Sequence, residues 1–147
     1  MKKLLFYIMV LMLTIISSCS KDNSSSSVKD DVVNTASSGT WKITYFFDTD
    51  KEETSNFSGY NFTFGSNNVL SASSVTNNYT GTWSIMNNNS NDDTLSDLDF
   101  TISFASPELF NDLNEAWEIL SKTESKIELR HVSGGNGGTD LLTFGKN

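Results

Sequence analysis

A chain of 147 residues has room for one domain. Its net charge of −8 sets it against phosphate backbones, which excludes nucleic acid as a partner, and a single cysteine excludes an internal disulfide. Only 19% of residues are charged while Ser, Thr and Asn abound, the mix of an extracytoplasmic β-protein rather than a cytosolic helical one.

The N-terminus reads as an address. Met1-Lys2-Lys3 is positively charged, and residues 4–16 form a nearly unbroken apolar run. That run is too short for a spanning helix, which needs about 20 apolar residues, and has the length of a signal-peptide core. Ser17 and Ser18 follow, then Cys19. Ile16-Ser17-Ser18-Cys19 resembles the bacterial lipobox. The resemblance implies a signal peptide over 1–18, a diacylglycerol thioether on Cys19, cleavage before it and acylation, for example by palmitate, of the new amine. Loss of Lys2 and Lys3 takes the charge from −8 to −10. Two or more acyl chains anchor a protein stably where one does so only marginally. Lys21-Asp22 just after the cysteine resembles the signal that sends some bacterial lipoproteins to the outer cell surface. Residues 19–38 hold few large apolar side chains and no aromatic, so a disordered tether is expected there. As a flexible coil it spans roughly 24 Å.

From Gly39 the pattern changes to period two. Trp41, Ile43, Tyr45 and Phe47 alternate with Lys42 and Thr44, with Phe46 breaking the rule. Tyr60, Phe62 and Phe64 alternate cleanly. So do Tyr79, Gly81, Trp83 and Ile85, then Leu98, Phe100, Ile102 and Phe104, then Ile127 and Leu129, and last Leu142 and Phe144. Such alternation marks antiparallel strands with one face to a core and one to water. Strands are expected near 40–47, 57–64, 68–74, 79–86, 96–104, 117–123, 126–132 and 139–144. Gly39-Thr40-Trp41-Lys42-Ile43 returns as Gly81-Thr82-Trp83-Ser84-Ile85, as if two hairpin-like units stood in tandem. One segment departs from this pattern. Ser106-Pro107-Glu108 has the form of an N-cap, N1 proline and early acid, and Leu109, Phe110, Leu113 and Trp117 recur near helical spacing. A short helix is expected near 107–116, capping the sheet or plugging a barrel end.

The expected fold is mainly β: an antiparallel up-and-down barrel of about eight strands, since closure removes both sheet edges. An open β-sandwich is the alternative. Gly39 and Trp41 at the first strand, the Gly81-Thr82-Trp83 echo, the closing Leu142-Thr143-Phe144 and the lipobox together resemble the lipocalin-like domains of bacterial lipoproteins. The resemblance covers 39–147. It departs from true lipocalins in its shorter length and in placing a helix before the last three strands.

The residues that could carry chemistry are few. Cys19 is committed to lipid and His131 is the only histidine, so a nucleophile–base pair and a zinc cluster both lack their parts. Asp48, Asp50 and Glu52 offer oxygens at alternate positions for Ca²⁺, although Glu53 stands where an EF-hand needs glycine. Asn91-Asp92-Asp93 with Asp97 and Asp99 form a second acidic group. No cleft for paired-carboxylate glycoside chemistry is evident. Gly134-Gly135-Asn136-Gly137-Gly138 lacks the Lys-Ser/Thr of a phosphate loop and reads as a hairpin turn.

The aromatics are the remaining candidate site. Trp41, Tyr45, Phe62, Trp83, Phe100, Phe104 and Trp117 are placed as the lining of a ligand cavity, in a barrel just wide enough for packed side chains or one small ligand. So many rings on short strands favour a packed interior. The expected function is that of a non-enzymatic, cofactor-free, monomeric outer-membrane lipoprotein that binds a small apolar ligand. The alternative is a surface interaction or structural module with a filled core, meeting a protein or glycan partner. The membrane itself is a partner through the lipid on Cys19.

Overall fold

The computed structural model of the chain describes residues 27–88, 94–135 and 137–147. The expected signal peptide, Cys19 and the Asn91-Asp92-Asp93 group lie outside these residues. An α-helix, α1 (Val28–Ser37), precedes nine strands: β1 (Trp41–Asp48), β2 (Lys51–Glu52), β3 (Asn61–Phe64), β4 (Val69–Ser73), β5 (Asn78–Asn87), β6 (Leu98–Phe104), β7 (Ala116–Lys122), β8 (Lys126–Val132) and β9 (Thr139–Lys146). Neighbours in sequence pair antiparallel from β3 to β9, and β9 returns to β1, closing an eight-stranded barrel with β2 outside the ring.

Period two accounts for the wall. Phe62, Phe64, Leu70, Ala72, Phe100, Ile102, Phe104, Ile127, Leu129, Leu142 and Phe144 all point inward and are buried. At about 25 cal/mol per Å² of apolar surface, large rings contribute most of this stabilisation. The strand bounds fall within a few residues of those the alternation predicts, and the sandwich alternative is set aside by the β1–β9 pairing.

β1 departs from the simple pattern. Its register against β9 shifts between Ile43 and Tyr45, where Ile43 faces Phe144 and Tyr45 faces Thr143. The extra residue, Thr44, is a β-bulge, and beyond it the inward face changes parity. Phe46 is therefore buried and Tyr45 is 39% exposed, the reverse of the sequence expectation. A second bulge, between Ile119 and Ser121 on β7, leaves Leu120 exposed.

The β1–β3 seam is thin, with Trp41 opposite Phe62 as its single ladder pair. A 3₁₀ turn, Thr54–Phe57, covers the rest. Glu53 N donates to Phe46 O at 2.9 Å, Phe46 N donates to Thr54 Oγ1 at 2.8 Å, and Phe57 packs edge-on against Phe46 at 5.2 Å.

Both ends of the barrel are stoppered. At one pole lies α1, in the segment expected to be tether. Val28, Val32 and Ala36 recur every four residues, Ser27 caps the first turn by accepting from Asp30 N, and Asp30 and Asp31 suit the positive end of the helix. So narrow an apolar stripe is marginal alone. Here Val32 and Ala36 are wholly buried and Trp41 Nε1 donates to Ala36 O at 2.8 Å. The tether expectation is therefore corrected from Val28 onward.

The opposite pole is closed by Glu108–Leu113. This is the helix expected near 107–116, six residues long and 3₁₀ rather than α. Phe110 drops into the middle of the pole, with ring centroids 4.8 Å from Phe104, 5.2 Å from Tyr60 and 5.5 Å from Tyr79. Asn114 stops the turn by clamping both backbone groups of Phe104, at 2.6 and 2.8 Å.

Candidate functional site

Six of the seven aromatic candidates are buried and one, Tyr45, is not. Trp41, Phe62, Phe100, Phe104 and Trp117 are at most 2% exposed and Trp83 is 6% exposed. They meet other rings: Phe62 lies 5.5 Å from Phe144, Phe64 lies 5.2 Å from Phe100, and Phe64 lies 5.3 Å from both Trp83 and Phe144. These edge-to-face contacts pack the barrel axis with side chains.

The three tryptophans act as latches. Trp41 ties α1 to the wall, Trp117 Nε1 donates to Leu113 O at 3.1 Å and holds the 3₁₀ plug, and Trp83 Nε1 donates to Gly65 O at 2.9 Å and holds the β3–β4 turn. Each indole buries its ring in the core and spends its polar edge on a backbone carbonyl of a closing segment. The two Gly-Thr-Trp copies thus share the latch but not the reason for glycine. Gly39 sits at φ +107°, open to glycine, whereas at Gly81 a Cβ would lie 2.3 Å from Ser103 O and 2.7 Å from the Phe104 ring.

Acidic residues gather at the pole closed by the 3₁₀ plug. Carboxylate oxygens of Asp48 and Glu53, from the β1–β2 hairpin, and of Asp112, from the 3₁₀ plug, lie within 4.8 Å of one another. Asp140, the one buried charged side chain among the described residues, stands beside them and accepts from Thr49 N at 2.8 Å and Thr49 Oγ1 at 3.2 Å. Burial raises the Asp48 carboxyl above its ordinary 3.8, with Asp140 and Asp112 adding repulsion. Burial likewise raises Asp112, with Glu53 and Asp140 adding to it. Lys51 pairs with Glu53 at the rim.

Of the predicted Ca²⁺ candidates, only Asp48 belongs to this group. Glu52 instead faces Thr54, whose hydroxyl and, at 3.0 Å, backbone N–H hold its carboxyl below its ordinary value, and Asp50 lies on the turn before β2. The signal missed in the sequence is long-range: Asp112 and Asp140 reach the cluster only through the plug and through β9.

His131 has a structural setting. Nδ1 lies 3.3 Å from Ala116 O, Nε2 lies 3.5 Å from Glu115, and the ring packs 6.1 Å from Trp117. Ser133, Gly134 and Gly138 link β8 to β9 as the hairpin turn that the glycines predict.

An opening lies at the α1 pole. A groove of about 480 Å³ runs between α1 and the barrel rim, lined by Lys29, Val33 and Ser37 of the helix, residues 65–68, and Trp83, Ser84 and Ile85 of β5. Asn67 and Asn68 hold left-handed conformations there, at φ 56° and 62°. Asn68 Nδ2 donates to Trp83 O at 2.9 Å and Asn68 O accepts from Trp83 N at 3.0 Å. This rigid turn gives one wall of the groove. Sequence periodicity could not place it, because its other wall is the helix that the sequence reading left out.

No protein-family model matches the sequence, and no curated protein is significantly similar to it. Among solved structures the chain is similar to the crystal structure of a DUF4847 family protein from Bacteroides vulgatus. That likeness has a TM-score of 0.51 and 16% sequence identity, and covers 79% of this chain and 97% of that one. At that identity the likeness shows the fold alone, a small antiparallel barrel of the kind the resemblance to lipocalin-like domains implied. Among the described residues no helix is long and apolar enough to cross a membrane.

Proposed function

We propose that this protein is a lipid-anchored cell-envelope module that acts through its outer surface, with the barrel as a solid scaffold. One observation carries the surface reading. The axis is filled by rings, and both poles are stoppered, by α1 and by Phe110. A small apolar ligand would have to displace close-packed rings, each of which stabilises the fold by a few kcal/mol. The anchor rests on the lipobox-like Ile16-Ser17-Ser18-Cys19. It supports an outer-membrane location, and Lys21-Asp22 supports an outward-facing orientation. A protein or a glycan is the class of partner that a solid scaffold with shaped loops can hold.

Two measurements test this separately. Cys19→Ala is expected to move the protein from the membrane to the soluble fraction, and unchanged membrane retention would refute the anchor. Titration with the apolar dye N-phenyl-1-naphthylamine is expected to give no saturable signal that Ala72→Phe abolishes. Saturable binding that is lost in Ala72→Phe, which enlarges a buried wall residue, would restore the internal-ligand reading.

A further inference from the structure

The groove between α1 and the barrel rim has the size of a ligand site: small-molecule pockets run from about 300 to 1,000 Å³, and this one is about 480 Å³. Its floor is apolar, made by Val33 and the edges of Trp83 and Ile85. Its rim is polar, and its ten lining residues include one ionisable group, Lys29. Three other lysines at the α1 pole are engaged, and Lys42, one residue after Trp41 on β1, is not among the groove's lining residues. Lys122 pairs with Asp31 at 2.6 Å and donates to Thr35 Oγ1 at 2.9 Å. Lys146 donates to Ser38 Oγ at 2.9 Å and lies 5.6 Å over the Trp41 ring. Lys126 pairs with Glu128. Lys29 is half-buried and makes no ion pair or hydrogen bond among the described residues. An ammonium without a partner among the described residues, beside apolar surface, is free to pair with an anion.

Charge complementarity fixes the occupant. We propose that the groove binds a small amphipathic monocarboxylate, its apolar body on Val33 and Trp83 and its carboxylate on Lys29. The rigid 65–68 turn adds donors: the side chains of Ser66 and Asn67 line the groove and make no hydrogen bond to described residues. The site is formed only when α1 is docked, because Lys29 and Val33 come from the helix. This proposal rests on the reading that the protein works from its outer surface, and is independent of the lipid anchor.

The test is an NMR titration of the full chain with 3-phenylpropionate at neutral pH, with uncharged 3-phenylpropanamide as the control. The expected result is saturable binding of the carboxylate that shifts the amides of Ser66, Asn67 and Ser84. Lys29→Gln is expected to weaken it about tenfold, the loss of one charge-assisted hydrogen bond, to the level of the amide. Ser66→Phe, at an exposed position, is expected to fill the groove and abolish binding while the remaining spectrum stays native. Cys19→Ala is expected to leave the titration unchanged, so failure of the anchor and failure of the groove are read apart. Equal binding of carboxylate and amide, indifference to Lys29→Gln, or shifts confined to the acidic pole would each overturn the proposal. So would Lys29-dependent binding to phosphatidylglycerol vesicles with no response to 3-phenylpropionate, which would assign the surface to lipid headgroups.

Discussion

Tyr45 and Phe46 are adjacent, aromatic and similar in size, yet the bulge at Thr44 sends one to solvent and the other to the core. Phe46→Ala is expected to cost about 3–5 kcal/mol and Tyr45→Ala under about 1 kcal/mol, read from urea unfolding. Equal costs would mean that the parity change is absent. Sequence alternation could not foresee it, because a bulge is one extra residue and leaves no mark in an apolar pattern beyond the doublet Phe46-Phe47. Asp112 gives a second test at this scale. Its carboxyl is raised above 3.8 in the folded chain, so the native state holds that proton more tightly than the unfolded chain does. Stability contributed by the protonated form is present below the ordinary value and lost as pH rises through the raised one. Asp112→Asn should therefore raise thermal stability at about pH 7, by roughly 0.2–1 kcal/mol given its exposure, with the gain vanishing at about pH 3. A gain that persists in acid would point away from burial and repulsion of the charged carboxylate.

At the scale of elements, the strands were legible and the closures were not. Strand signals sit within five to ten consecutive residues, whereas a stopper is recognised only by what it covers. Val28, Val32 and Ala36 spell out a helical stripe, but its polar neighbours make it look like tether until Trp41 and the barrel end are in place. The same holds for the acidic cluster and the groove, both assembled from segments far apart in sequence. Two substitutions test α1 as a stopper. Trp41→Phe keeps a ring and removes the indole N–H, leaving Ala36 O without its donor, and should cost about 1–3 kcal/mol. Val32→Asp places an unpaired charge on a fully buried position. Amide exchange over 28–37 should then rise to that of an unfolded segment while β4–β8 stay protected. Uniform loss of protection would show instead that helix and barrel unfold as one unit.

For the whole molecule, the eight-stranded meander was readable because each apolar face recurs with the same period and each turn carries Gly, Asn, Asp or Ser. What filled the barrel was readable only as a count of rings, since which rings meet depends on register. Phe104 touches Phe62 at 6.5 Å and Phe110 at 4.8 Å, so its removal opens the axis itself. Phe104→Ala is expected to lose about 3–5 kcal/mol and to gain binding of benzene or xenon, which the native protein should lack. Native-like xenon uptake in both forms would show that the axis already holds space. The order in which the ring is closed has a kinetic consequence. β1 pairs with β9, and Lys146 reaches back to Ser38 across 108 positions, so the first strand waits for the last. A nascent chain can form its central hairpins early, but β1 keeps an unpaired edge until β9 has emerged. Contacts this distant in sequence place the fold among slow, all-β folders, and leave the incomplete chain dependent on whatever shields that edge in the meantime.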